Sequence, residues 1–302
     1  MKQLFMTFLA LTFCLTLVSQ SSAMLKFNLE KNKVYKIKAT SNQNVVSTYN
    51  GNSFTSVVKS VSSLNFKLVS LDNDIMNIEF KFDTIQSKST SPMGNKETNS
   101  AIPAKKTDYM DQLMNRFSSN SIIAKISTFG KFNGFENYKT FRDNILLGLD
   151  SVPENKKNQL QKQIDMVIKE SAIQSMIEPL FAYMPDKELK TGDKWETSYG
   201  LAGGGMSGMN FNTLTLKSID NDSAQFDISS ELESMPVSDV NAPMSFDIKG
   251  NSTGKMTIDR KTGLILNSTE KKKYSGSMTV KNQGNVINIP MVIDAETQIV
   301  QQ

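Results

Sequence analysis

Pro185-Asp-Lys-Glu-Leu-Lys-Thr-Gly-Asp-Lys-Trp-Glu-Thr-Ser-Tyr199 is the stretch at which the hydrophobic period of this chain changes. Before it, apolar residues recur every three or four positions; after it, they recur every second. Pro185 stops a helix, because its ring removes an N–H donor and clashes with the preceding turn. Gly192 and Asp193 suit a tight turn. Trp195, the sole tryptophan, then begins an alternation with Thr197 and Tyr199. The stretch is a boundary of architecture, helix before and strand after, and it contains no catalytic motif.

Working back from Pro185, residues 137–184 read as helical. Tyr138, Phe141, Ile145 and Leu149 share one face at helical spacing. Ser151 with Glu154 forms a capping box, and the helix it opens aligns Leu160, Ile164, Val167 and Ile168. Ser171 with Gln174 repeats the box before Ile173, Met176, Ile177, Leu180 and Phe181, and Pro179 is expected to kink that run.

Working forward, residues 211–216, 224–232, 246–248, 256–258, 264–266, 274–280 and 286–293 alternate as an antiparallel meander, turning at 259–263 and 282–285. The first third of the chain reads similarly. Leu25, Phe27 and Leu29 and then Val34, Tyr35 and Ile37 suggest a strand pair. Residues 45–49 and 54–61 flank the hairpin signal Asn50-Gly51-Asn52. Leu64, Phe66 and Leu68 face Met76, Ile78, Phe80 and Phe82 across Asp72-Asn73-Asp74. Residues 87–106, with Pro92, Gly94 and Pro103, read as a long loop. Tyr109, Leu113, Met114 and Phe117 read as a short helix, and residues 122–132 as a strand closing at Gly130 or Gly134.

The fold class that follows is α+β, with two curved antiparallel β-meanders and a helical segment between them packing on the sheet. Its divisions are a signal peptide at 1–23, an N-terminal β-rich lobe at 24–136, a helical segment at 137–189 and a C-terminal β-rich lobe at 190–302. An internal echo supports two related lobes. Residues 68–74 (Leu-Val-Ser-Leu-Asp-Asn-Asp) match 216–222 (Leu-Lys-Ser-Ile-Asp-Asn-Asp), and residues 126–130 more weakly match 258–263. The competing reading is that hairpins favour such turns in any case.

Residues 1–23 carry Lys2, an apolar run of about 15 residues, too short for the roughly 20 that span a bilayer, and a small-residue end at Ser21-Ser22-Ala23. That is the pattern of a secretory signal peptide, so the expected location is extracytoplasmic, periplasmic or secreted, with no transmembrane segment left after cleavage. Cys14, the only cysteine, lies inside this run behind Phe13, which is unlike a lipoprotein signal. The rest of the chain has neither cysteine nor histidine. Disulfides, a histidine triad, a cysteine nucleophile and a conventional zinc site are thereby excluded. A net charge of +4, from 34 basic and 30 acidic residues spread along the chain, gives no argument for nucleic acid.

The Asp-Asn-Asp turns could offer oxygens to calcium, but neither continues into a calcium loop. The glycine loop at 203–208 joins two strands and lacks the lysine of a phosphate cradle. Asn221, Asn251 and Asn267 stand in glycosylation-type triplets. Lys271-Lys272-Lys273 reads as a charged edge strand resisting edge-to-edge pairing, the alternative being contact with anionic lipid or polymer. Seventeen methionines, two of them in the first 23 residues, suit either an ordinary core or an adaptable apolar pocket.

The order of signal peptide, β-meander, strand ending in Gly130, helices, Pro185, Gly192-Asp193-Lys194-Trp195 and a second meander with the 259–263 turn resembles an uncharacterised family of secreted bacterial proteins of unknown function. The resemblance implies an extracytoplasmic protein and carries no catalytic residues. In architecture, a curved sheet with helices against it is similar to the half-barrels of lipoprotein carriers. The expectation is a non-enzymatic protein, without cofactor or metal, that binds a lipophilic small molecule between sheet and helices, with Trp195, Phe181, Met176 and Met184 as lining. The alternatives are a structural or interaction component of the envelope that binds an envelope protein, and a hydrolase acting through paired carboxylates.

Overall fold

The computed structural model describes residues 22–92, 94–104, 109–147, 152–153, 164, 167–203, 205–235, 244–282 and 285–302. The signal-peptide reading falls, up to residue 21, outside these, as do most of the helix expected after Ser151 and the end of the one expected at Leu149.

The strands are β1 (Ala23–Met24), β2 (Val34–Tyr49), β3 (Asn52–Asp72), β4 (Ile75–Ser91), β5 (Gly94–Asn99), β6 (Ser121–Ser127), β7 (Phe132–Phe135), β8 (Glu188–Leu189), β9 (Lys194–Gly203), β10 (Met206–Ile219), β11 (Ser223–Ser234), β12 (Met244–Asp259), β13 (Ile265–Asn282) and β14 (Asn285–Gln301). Helices α1 (Tyr109–Ser119), α2 (Tyr138–Leu146) and α3 (Glu170–Ile177) lie between them, α3 passing into a 3-10 turn at Glu178–Leu180. All strands but β1 and β8 form one antiparallel sheet in the order β7-β6-β4-β3-β2-β14-β13-β12-β11-β10-β9, with β5 beside β4. The sheet is curved and does not close into a barrel. β14 pairs with β2 from Met291↔Ser47 to Gln301↔Ile37, so the strands of both halves of the chain join in one surface.

The strands are longer than their apolar segments suggest. Residues 54–61 and 64–68 are parts of the 21-residue β3, and the 256–258 and 246–248 segments are both in β12. Residues 87–106 do not form one long loop: β4 continues to Ser91 and β5 pairs back on it. Their Ser, Thr and Lys residues lack a hydrophobic alternation, and the neighbouring strand supplies the missing constraint. Conversely, residues 25–29 form no strand and make only isolated backbone hydrogen bonds, although Leu25, Phe27 and Leu29 are buried. Ser171 is not an N-cap: Lys169 holds that place and Ser171 lies within α3. Pro179 produces no kink inside one helix; it sits at the start of the 3-10 turn, where its missing N–H costs nothing.

Lys271–Lys273 lie on β13, in the middle of the sheet and not at its edge. Lys271 and Lys273 stand opposite Glu296 and Asp294 on the outer face, and Lys272, on the inner face, pairs with Glu270 at 3.0 Å. Lys272 is thus paired along its own strand, and Lys271 and Lys273 stand across from acids on β14.

The internal echo is structural. Asn32 N donates to Leu68 O (2.9 Å) and Gly192 N to Leu216 O (2.7 Å); Lys33 N donates to Glu30 O and Asp193 N to Lys190 O. Past the Asp-Asn-Asp turns, Thr128 N donates to Asp74 O and Arg260 N to Asp222 O, both at 2.9 Å. The closing turns differ by one residue, Gly130 N donating to Ser127 O three back and Gly263 N to Asp259 O four back, but both glycines are left-handed, φ +83° and +79°. Tyr35 and Trp195 begin equivalent strands. The extended segment then ties the two units together, with Phe27 N donating to Thr128 O and Asn28 N to Thr262 O.

Length decides where the core sits. At about 3.3 Å per residue β3 runs about 70 Å, whereas helices of 8 to 11 residues span about 12–17 Å. The described helices therefore cover one end of the sheet's inner face. There Phe27, Phe66, Phe80 and Phe181 pack ring against ring. A second, smaller apolar group of Leu232, Ile248 and Met291, flanked by Met206, Phe246 and Met278, occupies the far end.

Candidate functional site

Where the helices meet the sheet they leave a groove of about 330 Å³. Its sheet wall is mainly one alternating face, Ile37 and Ala39 from β2, Ser60, Ser62 and Leu64 from β3, and Phe82, Ile85 and Ser87 from β4, with Val61 and Gln86 between them. Its helical wall is Met114 and Phe117 of α1, Val167, Met176 of α3 and Leu180 of the 3-10 turn. Among the described residues no Lys or Arg lines it. Leu64 and Phe82 at its base are buried in the core; Met176, 40% exposed, stands at the mouth.

Of the four residues expected to line a pocket, Met176 lies in this groove. Phe181 is fully buried, 5.0 Å from the Phe27 ring and 5.8 Å from those of Phe66 and Phe80. Trp195 packs edge-on to Phe226, and its Nε1–H donates to Tyr183 O at 3.0 Å. Met184 is buried near Gly263. Tyr183 in turn donates its hydroxyl to Gly263 O at 2.8 Å, and burial holds its pKa well above the ordinary tyrosine value. Phe181, Met184 and Trp195 therefore belong to the packed end of the core.

The serines of the groove escaped the sequence reading, which weighed apolar residues alone. Their signal was present: Ser60 and Ser62 continue the period-two face of Leu64, Phe66 and Leu68.

Helix α3 also covers the edge of β9. Ala202 N–H donates to Ser175 Oγ (2.7 Å), and the Gly200 N–H donates to the Glu178 carboxylate, which also accepts from Gln174 Nε2 at 2.9 Å. Burial raises the pKa of Glu178, and the two hydrogen bonds oppose the rise. On the inner face beyond, Tyr199 and Tyr274 are held above the ordinary tyrosine range, by burial first and by the charge of Glu270 second. Ser252 donates to Glu270.

Among the described residues no group of three or more His, Cys, Asp or Glu is placed to hold a metal ion. Asp220, in the second Asp-Asn-Asp turn, accepts from the Ser223 and Asp222 backbone N–H groups and the Ser223 hydroxyl, which lower its pKa. No helix among the described residues is long and apolar enough to cross a membrane.

The family of unknown function DUF6263 matches residues 73–265, more than half of the chain, from within the first Asp-Asn-Asp turn through the three described helices and the second such turn. The chain belongs to this family. No curated protein matches it. Among solved structures it is similar to a structure of lipid–protein interactions in lipovitellin, with a TM-score of 0.48 and 9% identity over 91% of this chain and 25% of that one. The chain thus spans about a quarter of the lipovitellin chain's length. It is also similar to an outer membrane channel from Pseudomonas putida F1, with a TM-score of 0.29 and 8% identity over 91% of this chain and 97% of that one. Neither likeness bears on what this chain binds.

Proposed function

We propose that this member of DUF6263 is a non-enzymatic, extracytoplasmic protein that binds an apolar or amphipathic small molecule in the groove between curved sheet and helices. One observation carries the reading: a concavity of about 330 Å³ lined mainly by Ile, Leu, Val, Phe and Met side chains, open at Met176. A fully packed core leaves few voids larger than a water, and ligand pockets begin at about 300 Å³. The size suits a single chain better than a two-chain lipid. Methionines at Met114 and Met176 suit an adaptable wall. The extracytoplasmic location rests on the signal-peptide pattern of residues 1–23.

Native mass spectrometry of the purified protein, with organic extraction of anything bound, tests the reading directly. Titration with the fluorescent apolar probe N-phenyl-1-naphthylamine supplements it. The expected result is one bound molecule or saturable probe uptake, weakened at least tenfold by Met176→Glu, a change at a half-exposed position that leaves the core intact. Protein that carries nothing and takes up no probe rules the reading out.

A further inference from the structure

The groove has a polar rim that an apolar ligand alone does not explain. Strand register places Thr297, Ser41, Ser60 and Ser87 side by side: Thr297 pairs with Ser41, Ser41 with Ser60, and Ser60 with Ser87. These residues are half-buried, on the same face as Ile37, Leu64 and Ile299. Ser60, Ser87 and the adjacent Ser62 line the groove itself. Among the described residues, none of these three hydroxyls has a hydrogen-bond partner, while Ser41 accepts from Gln43 Nε2 at 3.4 Å. At about 4.8 Å per strand the row extends about 14 Å. It continues on β13 to Glu270, opposite Thr297, whose charge is matched by Lys272.

We infer that the ligand of this groove is a single-chain amphiphile whose head is uncharged and hydroxyl-bearing, the chain lying against the helical wall and the head along the serine row. This rests on the ligand-binding reading above and names the class of ligand. Hydroxyls both donate and accept, so the row can satisfy a head of the same kind. An ionised head would enter a half-buried site with no cation among the described lining residues. Of the nearby lysines on this face, Lys272 is already paired with Glu270, and Lys96, opposite Ser89, is exposed and outside the lining; burying a charge without a partner is costly. A bare hydrocarbon would leave the serines without partners at a dry surface.

The test is displacement of N-phenyl-1-naphthylamine, at pH 8, by four compounds sharing a twelve-carbon chain: dodecanoylglycerol, dodecyl glucoside, dodecanoate and dodecane. We expect one of the two hydroxylated compounds to displace the probe at concentrations at least tenfold below dodecanoate, the glycerol and sugar arms separating the two head types. The double variant Ser60→Ala/Ser87→Ala should bring that compound to parity with dodecanoate, both displacements being read against the probe affinity measured on the same variant, and Ser60→Thr/Ser87→Thr should retain the preference. Dodecanoate or dodecane binding as well as the hydroxylated compounds, or a preference untouched by the alanine pair, overturns the inference while the apolar groove stands. Failure of all four compounds and the probe to bind overturns both.

Discussion

Replacing Gly130 by alanine tests the closing turn that the two units share. Gly130 has φ +83°, and a Cβ built on it would lie 2.0 Å from the carbonyl oxygen of Phe181 and 3.1 Å from the Phe27 ring. Ordinary contact begins at 3.4 Å, so the turn and the Phe181 backbone would have to separate by more than 1 Å in the most densely aromatic part of the core. The left-handed conformation costs alanine about 1–2 kcal/mol, and overpacking adds about 1–3 kcal/mol. The sum, about 2–5 kcal/mol, corresponds to a fall in Tm of roughly 5–15 °C for a domain of this size. Gly134→Ala is the control, with φ +98° but nothing within 4 Å of its Cβ, so only the conformational cost applies. Gly263→Ala, in the equivalent turn, meets Lys26 O at 2.7 Å and should fall between the two. Thermal unfolding followed by circular dichroism of the strand band reads all three. If Gly130→Ala melts with Gly134→Ala, the close approach to Phe181 does not constrain the turn and the reasoning fails.

Lys272→Met should cost about 1–3 kcal/mol, because it strands Glu270 at a site only 18% exposed, whereas Glu270→Leu/Lys272→Met should recover most of that loss; urea titration of both variants against wild type checks it, and equal losses would contradict it. Trp195→Phe should cost about 1–3 kcal/mol by leaving the Tyr183 carbonyl without its donor. In the wild type, the same buried tryptophan should emit at short wavelength and shift red only with global unfolding. Glu178 has a folded pKa above its unfolded value, so its contribution to stability is complete below the ordinary glutamate value of about 4.3 and is lost as pH rises through the raised folded value. Glu178→Gln should flatten the stability profile in that window, and an unchanged slope would assign the pH dependence to another group.

Much of the fold was legible in local pattern. The change of period at Trp195, the Asn50-Gly51 hairpin and the Asp-Asn-Asp turns depend on neighbouring residues, and the sheet keeps them where the alternation put them. Asn73 and Asp74 adopt the left-handed conformation that a two-residue turn needs. The polar second half of β4 and β5 was not legible, because a Ser- and Lys-rich strand carries no hydrophobic alternation and is held by its partners' backbone. The lysine run misled for a related reason: the acids opposite it, Asp294 and Glu296, lie more than twenty residues away in sequence and become neighbours only through register. Of the four expected lining residues, composition could identify apolar bulk at Phe181, Met184 and Trp195 but could not tell filled core from open groove, since both are lined by the same residue types.

What the sequence determined by itself is therefore what short-range physics controls: the α+β class, the helices at Tyr109 and Tyr138, the tight turns, and the exclusion of cysteine and histidine chemistry beyond residue 23. Tertiary structure alone decided that β14 joins β2, so that both halves make one curved sheet, and that the Asp-Asn-Asp turns in the two halves bond in the same way. It also decided the groove. The described helices, laid on strands about four times their length, cover one end of the inner face, and the serines from separate strands meet at the edge of what they do cover.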